Sequence, residues 1–117
     1  MSRGYKTHRD TSVDNTNQVL KASPGHIAYF QISNGGTVDA YLQFYDALTA
    51  AVTVGTTTPK CTFLVPAGVG ATQVGAYEFT ALPELDFQVG IVYACTTTPT
   101  GGTDPTTKPM LGIMLYQ

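Results

Sequence analysis

Residues 26–46, HIAYFQISNGGTVDAYLQFYD, constrain the fold more than any other stretch. Two runs alternate apolar and polar residues on either side of Asn34-Gly35-Gly36-Thr37. In the first run His26, Ala28, Phe30 and Ile32 share one face, and Ile27, Tyr29, Gln31 and Ser33 share the other. In the second, Val38, Ala40, Leu42 and Phe44 lie opposite Tyr41, Gln43 and Tyr45. A period of two is the pleat of a strand, not the turn of a helix. Asn-Gly-Gly tolerates positive φ, so the two runs are expected to form a tight hairpin. One face then goes to a core, and the other displays tyrosines and amides to a partner.

The remaining segments are shorter versions of the same pattern. Residues 17–23, NQVLKAS, predict a short strand ended by Pro24-Gly25. Residues 47–55, ALTAAVTVG, fit either one helical turn or an apolar loop, being too short and too rich in Thr and Val for a stable helix. Residues 60–65 predict a strand with Cys61, Phe63 and Val65 on one face. Residues 73–82 predict another, with Tyr77 and Phe79 opposite Glu78, broken at Leu82-Pro83. Residues 85–97 read as a strand pair or as one strand bent at Gly90. Residues 96–109, TTTPTGGTDPTTKP, exclude regular structure and predict a long exposed loop. The closing MLGIMLYQ is apolar on both faces, as a central or interface strand would be.

Seven or eight short strands with frequent turns specify an all-β chain. The expected architecture is a single-domain antiparallel β-sandwich over residues 16–117. Its core should hold Phe30, Ile32, Leu42, Phe44, Phe63, Val65 and Ile91. Residues 1–15 lack periodicity and read as an extended N-terminal arm, flexible or docking.

Only 12% of the residues are charged and the net charge is −2, so no global basic field attracts nucleic acid. No apolar run approaches the roughly 20 residues of a membrane helix, and the polar start MSRGYKTHRD has no leader-like apolar region. A partner among nucleic acids or membranes is therefore not expected, and synthesis in the cytoplasm is. A surface rich in Thr and poor in charge does little to keep copies apart, which suits life inside an assembly.

Cys61 and Cys95 lie in strand-like runs without metal-ligand spacing, so two reduced thiols are expected and no metal or cofactor. Of the two histidines, His8 lies in the arm and His26 opens a strand. Glu84 and Asp86 share a strand face and read as solvated charges at a strand end. No acid, base and nucleophile converge, so the chain is not read as an enzyme. The residues left for function are contacts. Arg3, Lys6 and Arg9 cluster in the arm, a kind of segment that gains order on docking. Thr100, Asp104 and Lys108 belong to the long loop. Tyr41 and Tyr45 offer large contact area at low entropic cost.

The order of the motifs carries a resemblance. Ser33-Asn34, Ala40-Tyr41, Phe44-Tyr45-Asp46, Gly55-Thr56 through Pro59, Val65-Pro66 and Phe87 through Thr98 follow one another ahead of a final apolar strand. In that order, over about residues 20–117, the chain resembles small β-rich structural proteins of tailed bacteriophages, frequent among phages of cyanobacteria. The resemblance implies a virion component, a capsid cement or decoration protein on the outer shell. It implies the phage major capsid protein as partner, and a symmetric homo-oligomer, dimer or trimer. The alternative is a receptor- or carbohydrate-binding module of a head or tail fibre.

Overall fold

The computed structural model describes residues 4–68 and 75–117, with only the backbone for residues 75–83. Among the described residues eight strands form: β1 (Lys6–Asp10), β2 (Gln18–Lys21), β3 (Gly25–Asn34), β4 (Ala40–Tyr45), β5 (Cys61–Val65), β6 (Gly75–Phe87), β7 (Ile91–Thr96) and β8 (Met110–Tyr116). They make two four-stranded antiparallel sheets that pack as a sandwich. The first has the order β1-β8-β3-β6, the second β2-β7-β4-β5. One turn of 3-10 helix, Thr49–Ala51, resolves the ambiguous apolar segment.

The expected hairpin is instead a step between sheets. β3 lies between β8 and β6, while β4 lies between β7 and β5. Neither Gly35 nor Gly36 takes a positive φ, so the turn is not the tight kind that pairs flanking strands. Asn34 holds the crossing. It is 1% exposed; its Nδ2 donates to the carbonyls of Val38 (2.9 Å) and Val65 (3.2 Å), and its Oδ1 accepts from Gly36 N (2.9 Å). One buried amide thus satisfies backbone groups that a hairpin would have paired with each other.

Bulges explain where the period-two faces fail. Ile27 pairs with Tyr116 and Tyr29 with Leu115, so β3 carries one extra residue, Ala28. Ile27 and Phe30, three apart, therefore both reach the core, and His26 and Ala28 do not. β8 bulges at Gly112-Ile113, opposite Arg9 on one side and Gln31 on the other. Leu111 and Met114 are both fully buried as a result. Pro83 does not end its strand. β6 runs through it, in the stretch where the register against β3 shifts. β6 is a sheet edge, where a missing N–H breaks no ladder.

The core forms as expected. Phe30, Ile32, Leu42, Phe44, Val65 and Ile91 are fully buried and Phe63 is half-buried against them. Phe44 is its centre, with ring centroids 5.6 Å from Phe30, 5.9 Å from Phe63, 6.0 Å from Phe87 and 6.4 Å from Tyr93. Both cysteines are free. Cys61 of β5 pairs with Phe44 and Cys95 of β7 with Leu42, so all of β4 separates them. Two strand spacings are about 10 Å, beyond the roughly 7 Å limit for a disulfide.

The extended arm is docked on its own domain. β1 pairs with β8, and Val13 is fully buried in the core. Tyr93 Oη donates to Asp10 Oδ2 (2.8 Å), and His8 Nε2 lies 2.7 Å from the same hydroxyl oxygen. Since the tyrosyl proton goes to Asp10, His8 Nε2 carries the proton of the second bond. Burial, then the Asp10 contact, pushes the Tyr93 pKa far above the ordinary phenol value. The flexible or docking arm expected over residues 1–15 thus includes a strand, Lys6–Asp10. Those residues find their backbone partners in β8.

Candidate contact surface

The two outer sheet faces differ. On the β2-β7-β4-β5 sheet, the face that was expected to display Tyr45 is roofed over. Tyr45 is 1% exposed and packs with Val52, Val92 and Ala94, with Ala47 and Val54 beside them, as a second small core. Gln43 is fully buried next to it. Alternation assigns a residue to a face, and nothing local says whether a loop will cover that face. Two loops do. Residues 47–57 lie over Tyr45, and residues 97–103 lie over Gln43. They meet at Gly55 (φ +93°) and Gly102, where a Cβ on Gly55 would sit 3.1 Å from Gly102 Cα. That closeness, and the left-handed backbone, select glycine.

Gln43 is the anchor of the long loop. Its Nε2 lies within hydrogen-bond distance of Thr96 Oγ1 (2.9 Å) and of the carbonyls of Pro99 (3.0 Å), Gly101 (3.1 Å) and Thr98 (3.3 Å). Its Oε1 accepts from the Tyr45 hydroxyl. Further ties come from Thr62 Oγ1 to Pro99 O (3.0 Å) and from Asn15, whose N donates to Asp104 Oδ1 (3.1 Å) and whose Nδ2 donates to Gly102 O (3.0 Å). Lys108 Nζ sits 2.7 Å from Asp104 Oδ2. The Lys108 contact, helped by Asn15 N–H, holds the Asp104 carboxyl below the usual carboxylate range. The loop is therefore exposed, as expected, and also held in place from beneath.

The expected contact residues fall into separate regions. Arg3 lies outside the described residues. Lys6 and Arg9 are exposed on the β1 edge. Tyr41 is half-buried on β4, paired with Leu64 and Thr96. Tyr45 is removed from any contact role by its burial. Thr100 is exposed near the loop tip, while Asp104 and Lys108 neutralise each other. The loop also meets the β3–β4 crossing. Gly36, Thr37, Val38 and Asp39 face Thr97, Pro105, Thr106 and Thr107 across a groove of about 180 Å³. Val38, 62% exposed, stands at its rim. This end of the sandwich is rich in threonine, and among the described residues Asp39 is the only charged one that lines the groove.

Glu84 and Asp86 do share surroundings. His26 Nε2 is 3.6 Å from Glu84 Oε2, its Nδ1 is 4.0 Å from Asp86 Oδ1, and Tyr5 donates to Glu84. Gln117 Oε1 lies 2.9 Å from His26 Nε2. The group ties the chain termini to β3 and β6. Gln43 and Asn34 are the organising residues whose burial alternation did not single out; the trace of Gln43 in sequence is an amide between Leu42 and Phe44, and that of Asn34 is its place in the Asn-Gly-Gly turn. No family model matches the chain, and neither a curated protein nor a solved structure is significantly similar to it.

Proposed function

We propose that this chain is a virion structural protein of a tailed bacteriophage, a cement or decoration protein that binds the assembled major-capsid shell and stabilises it. One observation carries the reading. The loop of residues 97–109 is threonine-rich, largely exposed and held from beneath by buried Gln43. A protein that must fit a repeated site on a finished shell gains from a contact surface that is already ordered, because less entropy is lost on binding. Near-neutrality of that surface favours a protein partner over a polyanion, and the Asp104–Lys108 pair cancels its own charge. Val38 and Tyr41 supply apolar and aromatic area beside the loop. Binding to the assembled state and not to the free subunit stabilises the shell by mass action.

The test is cosedimentation of the purified chain with assembled shells and, separately, with unassembled capsid protein. Retention on shells alone is expected. Particles lacking the chain should assemble and then release their genome at lower temperature. Equal binding to free subunits, or no binding, would sink the reading. Particles that keep full physical stability but lose attachment to cells would replace it with the fibre-module alternative.

A further inference from the structure

We propose that the outer face of the β1-β8-β3-β6 sheet is the homodimer interface, formed face to face with a second copy about a two-fold axis parallel to the strands. This rests on the reading above for its purpose only, since the oligomer is measurable without any shell.

Beyond the end where Tyr5 reaches across to His26 and Glu84, no described segment covers the face, unlike the opposite one. Along β8 it presents Met110 (38% exposed) and Ile113 (36%), with half-buried Leu115 between the flanking strands. β3 adds exposed Gln31, and half-buried Tyr29 and Ser33. Neither β8 nor β3 carries an Asp, Glu, Lys or Arg. An apolar strand inside a sheet, with its outer side in water, is the kind of patch that a partner covers.

Charge says which partner. The sheet has one basic edge and one acidic edge. β1 places exposed Arg9 on this face, while exposed Lys6 shares the inward side of the strand with His8 and Asp10, which are turned to Tyr93. β6, three strands away, carries Glu78, Glu84 and Asp86 and no cation. A two-fold axis along the strands exchanges the two edges. The basic edge of one copy then lies over the acidic edge of the other, and β8 and β3 lie over each other at the centre. A two-fold axis across the strands would set like charge on like. The surface is thus complementary to itself, as an isologous interface must be. Edge-to-edge pairing is disfavoured, because the β1–β8 and β3–β6 registers both shift and β6 contains Pro83.

The size is adequate. Four strands about 4.8 Å apart and ten residues of β3 at about 3.3 Å give a face of roughly 600 Å² in projection. A standard interface buries about 800 Å² of rough surface per partner. Two sheets so aligned would pack as the faces of a sandwich do.

Sedimentation velocity of the full chain over a concentration series tests this. A dimer is expected, weakening as salt rises. Ile113→Glu should shift the dimer to monomer with circular dichroism unchanged, whereas Leu64→Glu on the other sheet should not. Arg9→Glu and Glu78→Lys change the two edge strands and not β8, so they test the interface if Ile113→Glu misfolds. Each alone should weaken the dimer at least tenfold, and the two together should restore most of it. Gln31 pairs with both Ile113 and Glu78, and Arg9 lies opposite the Gly112-Ile113 bulge, so the backbone positions of Arg9 and Glu78 share a rung three strand spacings apart. That is about 14 Å within one copy, too far for a direct pair, so restoration reports contact between copies. A monomer at all concentrations, a trimer, or a dimer lost only with Leu64→Glu would overturn the proposal. Failure of shell binding with an intact dimer would overturn the proposed function instead.

Discussion

Replacing Gln43 by Leu isolates the anchor of the long loop. The side chains are similar in volume, so the change removes hydrogen bonds without opening a large cavity. Not every partner is orphaned. Thr98 O keeps Thr96 Oγ1 at 2.7 Å, and Pro99 O keeps Thr62 Oγ1 at 3.0 Å. The Tyr45 hydroxyl and the Gly101 carbonyl lose the partner that Gln43 supplied. A buried polar group left unsatisfied costs about 1–3 kcal/mol. Tyr45 is buried and bears the full penalty, while Gly101 is half-buried and can recruit water. The expected loss is about 2–4 kcal/mol, from a total that for such domains is about 5–15 kcal/mol. In urea, with a slope of about 2 kcal/mol per molar, the midpoint should fall by about 1–2 M. Hydrogen exchange across residues 96–104 should rise more than in the core strands. The sign of a second change is diagnostic. Gln43→Leu with Tyr45→Phe should be more stable than Gln43→Leu alone, because the orphaned hydroxyl is gone. A Gln43→Leu protein within about 0.5 kcal/mol of the parent, with loop exchange unchanged, would refute the anchoring argument.

Phe44→Ala removes the ring at the centre of the core and should cost about 3–5 kcal/mol, read as a lower denaturation midpoint; a near-parental midpoint would contradict the aromatic packing. Thiol titration of the unfolded, unreduced chain should find two groups. In the folded protein both should react slowly, because burial pushes the Cys61 thiol up to about 11, against the pull of Lys60, and the Cys95 thiol up to about 12. Asp46 predicts a pH dependence. Its Oδ1 accepts from the N–H groups of Gln88 (3.0 Å), Val89 (2.8 Å) and Gly90 (3.4 Å). Desolvation pushes its pKa up, but these bonds together with Lys60 outweigh it and leave the carboxyl below the ordinary range. A depressed carboxylate contributes stability above its unfolded pKa and loses it as pH falls through the folded value. The acid limb of the stability curve should therefore be shallower in Asp46→Asn, and an unchanged limb would count against the assignment. Deleting residues 1–15 removes β1 and the buried Val13, so it should destabilise the whole domain; cooperative unfolding at the parental temperature would show β1 to be dispensable.

Much of the architecture is legible in the chain because it is set by neighbours in sequence. The pleat writes period two, turn residues punctuate it, and the absence of any long period-3.6 stretch excludes helices. So the β-class, the positions of β2 to β5, β7 and β8, and the core residues Phe30, Ile32, Leu42, Phe44, Val65 and Ile91 follow from composition and spacing alone, whereas β1 and the run of β6 through Pro83 do not. What the tertiary structure decided is everything that depends on which strand lies next to which. Asn34-Gly35-Gly36 is compatible with a hairpin, yet Asn34 finds Val65 O in the opposite sheet and the chain crosses over. A bulge at Ala28 changes the face of every residue before it, and no local signal marks where an extra residue is absorbed. Tyr45 and Gln43 look like a display surface until loops from elsewhere in the chain fold back over them. Tyr29, Gln31 and Ile113 share an open face because β3 and β8, remote in sequence, pair side by side. Period two assigns sides, and only long-range packing determines which side meets water.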